Sequence, residues 1–278
     1  MKTHDKEFFY KYLTSDVAIK ILKTQTVLCS APECFNDPFD SQLPIQFDSL
    51  DEELIRSRLS DAILDKISNI FKKTKPTLTK ENKNEIFKDI SISETLRKLC
   101  SEIDEKIKTE FCSDRIFCVS EIFDSLLMWA HYSDNHKGAV IRFRCLPGDY
   151  AFNAAKRVIY STELPKLVIE ELIEGYFSKE RVVEKKIVSE ILLTKSIDWE
   201  YEKEWRIILL QQNPFTKQDL RGVVSKEIDA IYLGCKMLPE NEETIKNIVK
   251  AKLNHVKIFK AQKSNCEFKL NFTEIKDF

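Results

Sequence analysis

Five glycines in 278 residues leave little material for loops that wrap a phosphate in bare backbone. Neither G-x-G-x-x-G nor G-x-x-x-x-G-K-[ST] occurs, which excludes the glycine fingerprints of a Rossmann dinucleotide fold and of a P-loop NTPase. No apolar run approaches membrane-span length. The start, Met1-Lys2-Thr3-His4-Asp5, has no signal-peptide character, so the expectation is a cytoplasmic protein with no membrane partner. An excess of basic charge is lacking too: 44 Lys and Arg stand against 45 Asp and Glu. A protein that binds nucleic acid mainly by neutralising phosphates would be more basic. C-x-x-C is absent. The eight cysteines, Cys29, Cys34, Cys100, Cys112, Cys118, Cys145, Cys235 and Cys266, are scattered, several inside apolar runs. They read as small buried hydrophobes in a reducing compartment rather than as disulfides or a zinc site.

What is present describes a packed protein with a well-solvated surface, since 43% of residues are hydrophobic and 32% charged. Phe8–Tyr12 suits a first strand. Thr14 or Ser15 can cap a helix with an apolar face of Val17, Ala18, Ile21 and Leu22. Thr26–Ser30 is extended and runs into a proline-bearing loop over residues 31–40. From about 49 to 110 the chain turns charged, lysine-rich and helical, and reads as a helical insertion. Strands follow at residues 115–120, 139–143, 156–160, 205–210, 228–233 and 256–259. Helices are expected at 126–132, from Val168 to Tyr176, from Val183 to Ile191 and around Ile245 to Leu253. Cys266, Phe268, Leu270 and Phe272 alternate with polar residues as in a half-buried final strand. A regular βαβ rhythm is missing. The expected fold is therefore α+β with a mixed, mainly antiparallel sheet, one domain over residues 1–278 carrying the helical insertion.

Three constellations carry candidate chemistry. Phe35-Asn36-Asp37-Pro38-Phe39-Asp40 is either turn chemistry or a loop presenting Asn36, Asp37 and Asp40 to a cleft. Met128-Trp129-Ala130-His131-Tyr132-Ser133-Asp134-Asn135-His136-Lys137-Gly138 holds two of the four histidines. Their spacing of five does not match the i, i+4 pair of a helical metal site. General acid–base work by His131 or His136 is open, as is a plain helix end with Gly138 as its cap. Last, Asp198-Trp199-Glu200-Tyr201-Glu202-Lys203-Glu204-Trp205-Arg206 leads into an apolar strand. In extended backbone Glu202 and Glu204 point the same way. Two carboxylates on one face repel unless a cation or a substrate hydroxyl engages them, which makes the pair a functional candidate. Ion pairing with Arg206 or Lys195 is the plain alternative.

Taken together these stretches, with Tyr10-Lys11-Tyr12, Phe117-Cys118-Val119-Ser120-Glu121 and Lys195, resemble a bacterial family catalogued as domain of unknown function 2971. A second resemblance is to ADP-ribosyltransferases of the Arg-Ser-Glu type. The chain offers Lys11, then Val119-Ser120, then Glu202-Lys203-Glu204 before a strand, in the matching order. It departs from that type in having lysine for arginine and Glu121 after Ser120. The resemblance implies a split mixed sheet and an NAD-consuming enzyme with a protein or nucleic-acid acceptor. A toxin or phage-defence effector with a neutralising partner would be its setting. It further implies Glu204 opposite an oxocarbenium-like ribose and Glu202 acting on the acceptor, with Ser120 behind Glu204. The segment from His131 to Gly138 has no counterpart in that type, and His131 is a catalytic candidate on its own acid–base chemistry. Lys11, Tyr12, Asn36, Asp37, Tyr132, Trp205 and Arg206 would complete an NAD pocket. The alternatives are a metal-dependent nuclease or hydrolase using His131, His136, Asp37, Asp40 and Glu204, and a ligand-sensing module without catalysis.

Overall fold

Short, nearly continuous apolar runs decide the architecture, because the central strands bury side chains on both faces of a sheet. The computed structural model describes residues 3–41, 114–148, 151–165, 189–213 and 215–276, with isolated residues 61, 82, 98, 101 and 105. The chain groups into two compact units. One comprises residues 1–37, 113–162 and 195–278; the other comprises 38–112 and 163–194.

The first unit holds β1 (Phe8–Leu13), α1 (Ser15–Thr24), β2 (Thr26–Ser30), β3 (Asp114–Ser120) and α2 (Leu126–Tyr132). It continues with β4 (Ala139–Arg144), β5 (Lys156–Arg157) and β6 (Ile159–Ser161). After β7 (Thr194–Ser196) come β8 (Glu204–Leu210), β9 (Gln218–Gly222), β10 (Ile228–Leu233), α3 (Pro239–Lys252), β11 (Lys257–Lys263) and β12 (Leu270–Ile275). Among the described residues the main sheet runs β12-β11-β10-β4-β1-β3-β2-β9, and β8 joins it between β3 and β5. β10 and β11 are parallel and joined through α3, as a parallel pair requires, and the other described ladders are antiparallel. The expected α+β class with a mainly antiparallel mixed sheet is what the structure has.

β3 pairs with β8 along all of Asp114–Ser120 but touches β1 only at Tyr10–Ser120 and β2 only at Ser30–Ile116. One row of cross-strand partners nevertheless runs unbroken over the sheet: Glu204, Ser120, Tyr10, Arg142 and Ala230. Directly paired residues share a face. Their neighbours along each strand, Trp205, Val119, Phe9, Ile141 and Ile231, point the opposite way into the main core with α1 and α3. On the Glu204 side, α2 covers Tyr12 and Val140 with Met128 and Trp129.

Local signals placed most elements. Thr14 caps α1 by accepting from the Val17 amide, and Ser125 caps α2 through the Met128 amide. Three expectations need correction. The strand at 156–160 is two short pieces broken at Val158. The final strand begins at Leu270, and Phe268, expected to be half-buried, is fully exposed in the turn before it. Gly138 does not cap α2, whose C-cap is Ser133. The helical insertion at 49–110 and the helices from Val168 to Tyr176 and Val183 to Ile191 lie almost wholly outside the described residues. Of the isolated residues described there, 61, 82, 98, 101 and 105 are helical, as are 189–193.

Candidate functional site

Glu202 ends a 3-10 turn over Ile197–Glu202, not an extended strand, and Lys203 follows in left-handed backbone (φ 46°). That one residue reverses the chain so that β8 can begin at Glu204. The two carboxylates converge, as expected, but through a turn rather than through strand periodicity. What brings them together is Lys195 on β7, whose Nζ donates to Glu202 Oε2 at 2.5 Å and to Glu204 Oε2 at 2.9 Å. Arg206, two residues along the same face of β8, donates from Nε to Glu204 Oε1 at 2.9 Å and from Nη2 to Oε2 at 3.3 Å. The Tyr132 hydroxyl at the end of α2 donates to Glu202 Oε1. All four carboxylate oxygens therefore have partners, and Lys195, Glu202, Glu204 and Arg206 are all buried.

The electrostatics follow from that geometry. Burial alone would raise the Glu204 carboxyl, but Arg206 and then Lys195 outweigh it and hold Glu204 far below the usual carboxylate range. Burial drives Glu202 the other way. It lacks an arginine, and the neighbouring Glu204 charge adds to the rise that Lys195 opposes. Burial would lower Lys195, yet the two carboxylates raise it above the ordinary lysine value. The Tyr132 hydroxyl is pushed up by burial and by its bond to Glu202, so it stays a donor.

Supporting contacts fix the group. Ser120 Oγ donates to the Glu202 carbonyl at 2.6 Å and accepts from the Ile122 amide at 3.1 Å, so it steadies Glu202 rather than Glu204. The Glu204 amide donates to the Tyr160 hydroxyl at 2.8 Å. Burial, and next the Glu204 charge, raises the Cys118 thiol, which also hydrogen-bonds the Glu204 carboxylate. Aromatic rings form a partly exposed rim around the group. Lys195 Nζ lies 5.1 Å from the Trp199 ring centre, Trp199 and Tyr201 are 6.0 Å apart, and His131 Nδ1 is 3.0 Å from the Tyr201 hydroxyl. Phe35 lies over the Arg206 guanidinium at 5.1 Å. The exposed Asn36 has its side chain hydrogen-bonded to Tyr132.

The structure thus gathers Glu202, Glu204, Arg206, Ser120, Tyr132, His131 and Asn36, and leaves others apart. Lys11 faces the opposite side of β1, with Nζ donating to the Cys118 carbonyl at 2.6 Å over the Phe117 ring. The cation beside the two carboxylates is Lys195. Trp205 points into the main core against Phe9 and bonds Glu121. Tyr12 is buried against Trp129, where its hydroxyl accepts from the Ser125 amide. Asp37 is buried, while Asp40 belongs to the second unit. His136 stacks on Trp129 at the end of three consecutive left-handed residues, Asp134, Asn135 and His136. Among the described residues no three His, Cys, Asp or Glu side chains form a group that could hold a metal ion. The sequence offers Lys195 as an ion-pair partner and as part of the family resemblance, and carries no signal for Tyr160. A buried ammonium is demanded by two adjacent carboxylates, but which lysine supplies it depends on β7.

No curated protein and no solved structure matches the chain. No helix among the described residues is long and apolar enough to cross a membrane. Residues 128–207, which carry α2, its turn and all four buried charges, match the family described as a protein of unknown function (DUF2971), the family the sequence resembles.

Proposed function

We propose that this chain is an NAD-consuming enzyme of the ADP-ribosyltransferase kind, acting on a protein or nucleic-acid acceptor in the cytoplasm as a toxin or phage-defence effector. The observation that carries the reading is the Tyr132–Glu202–Lys195 arrangement beneath the rim of Trp199, Tyr201 and His131. In the reaction the C1′–nitrogen bond of the nicotinamide ribose breaks and nicotinamide leaves with the bonding electrons. The acceptor then adds to C1′ and gives up a proton. A fixed carboxylate close to the positive ribose lowers that barrier most in a dry site. Glu202 fits this role behind the half-buried Tyr132 hydroxyl, which would meet a ribose oxygen. Glu204, saturated by Arg206 and Lys195, is then a positioning residue that fixes the ammonium. The aromatic rim suits stacking with the nicotinamide ring.

Incubation with nicotinamide-labelled NAD and cell lysate tests this. Wild type should release nicotinamide, and Glu202→Gln, with an unchanged circular dichroism spectrum, should lose at least a hundredfold of that rate. Absence of release by folded wild type would sink the proposal. Full bonding of all four carboxylate oxygens favours a second reading, a ligand-sensing module in which the charges only hold the fold. NAD binding without any consumption would select it.

A further inference from the structure

Three positions along the row from Glu204 stands Arg142, roughly 14 Å away at about 4.8 Å per strand. Arg144, two residues on along β4, shares its face. Both guanidiniums straddle one carboxylate. Arg142 Nε donates to Asp229 Oδ2 at 2.6 Å and Arg144 Nε to Oδ1 at 2.9 Å, and each adds Nη2 to the same oxygen. Arg142 Nη1 also reaches the Tyr232 hydroxyl at 3.1 Å, and Arg144 Nη1 reaches Glu7 at 3.2 Å. The Phe8 ring lies 4.6 Å from the Arg142 and 4.8 Å from the Arg144 guanidinium carbon. A guanidinium has five N–H donors, so each arginine keeps two beyond these bonds. Both cations share the half-buried Asp229 and Arg144 also meets the exposed Glu7, and the fork geometry is fixed on both sides by Asp229 and Phe8. Next to them the half-exposed Tyr10 and Phe123 rings lie 5.2 Å apart, and Phe123 stacks at 4.5 Å on the buried Tyr232, which Phe259 also covers at 5.0 Å.

We propose that Arg142 and Arg144 form a phosphate-binding fork for a free nucleotide whose base lies against the half-exposed Tyr10 and Phe123 rings. Planar cations with spare donors recognise phosphate oxygens in pairs, and bases stack on aromatic faces. This site stands apart from the carboxylate pair and does not require NAD cleavage. Glu7, two-thirds exposed, holds Arg144 Nη1, and a phosphate taking that atom would displace it.

Calorimetric titration with ADP and with adenosine tests the proposal. ADP should bind at least tenfold more tightly than adenosine, and Arg144→Gln should remove that preference while leaving the melting temperature within a few degrees. Glu7→Gln, at an exposed position, should tighten ADP by about threefold. Equal binding of ADP and adenosine, no binding of either, or an ADP affinity indifferent to Arg144→Gln would overturn it. So would binding of a single-stranded oligonucleotide in place of ADP. Nicotinamide release is read separately, so either proposal can fail alone.

Discussion

Lys195 makes its two carboxylate bonds with only 6% of its side chain exposed, so its removal is the harshest single test of the buried group. Lys195→Met keeps the packing but leaves Glu204 with Arg206 and Glu202 with the Tyr132 hydroxyl. Breaking a buried pair in this way costs about 3–5 kcal/mol, to be read as a lower urea midpoint at unchanged slope. The acid response is also a residue-scale property. Glu204 titrates lower in the folded than in the unfolded chain, whose ordinary value is 4.5. Below that value the unfolded chain binds the extra proton, so the stability from Glu204 is complete above about pH 4.5 and drains away as pH falls. Glu202, shifted upward, pulls the other way. Urea midpoints from pH 3 to 7 should fall on the acid side for wild type. They should fall less for Glu204→Gln, which starts lower. A steeper acid limb in the variant would contradict the assignment. Burial of Lys195 itself could not be read from its neighbours in sequence, Thr194 and Ser196, which are polar.

At the scale of elements, the turn after α2 depends on close backbone approach. A Cβ on Gly138 would sit 2.0 Å from the Leu13 carbonyl oxygen, and one on Gly234 would sit 2.1 Å from that of His136. Backbone cannot yield there without moving β1 or the α2 turn, so Gly138→Ala should cost about 2–4 kcal/mol by the same route as other overpacking. A melting temperature unchanged to within a degree would refute the tight approach. Much of this layout was legible. The strand expected at 115–120 and the helix expected at 126–132 match β3 and α2 almost to the residue, because their signals are local. β9, Gln218-Asp219-Leu220-Arg221-Gly222, was not found: it is a polar strand defined only by its partner β2. The Cys266–Phe268 alternation misled because periodicity does not say which residues the β11–β12 turn consumes. Glu202 and Glu204 were placed on one face for the wrong reason, since a left-handed Lys203 gives the same convergence as extended backbone.

For the whole molecule, the central sheet is stitched from distant segments: β1 with β4, β3 with β8 and β2 with β9. Such non-local pairing predicts slow folding, since loops must close before contacts repay them. Refolding from urea, followed by tryptophan fluorescence, should take milliseconds to seconds or longer. A microsecond phase accounting for the full signal would contradict this order of assembly.

The full-length ladder between β3 and β8 has one more consequence, set by the ribosome. Strand β3 is complete at residue 120, but its partner starts 84 residues later, from 120 to 204. At 5–20 residues per second that is about 4–17 s of synthesis. Throughout this interval Ile116, Phe117 and Val119 lack the partner strand that later shields them. The nascent chain should therefore be a chaperone client, and its yield should rise when translation over this stretch is hastened.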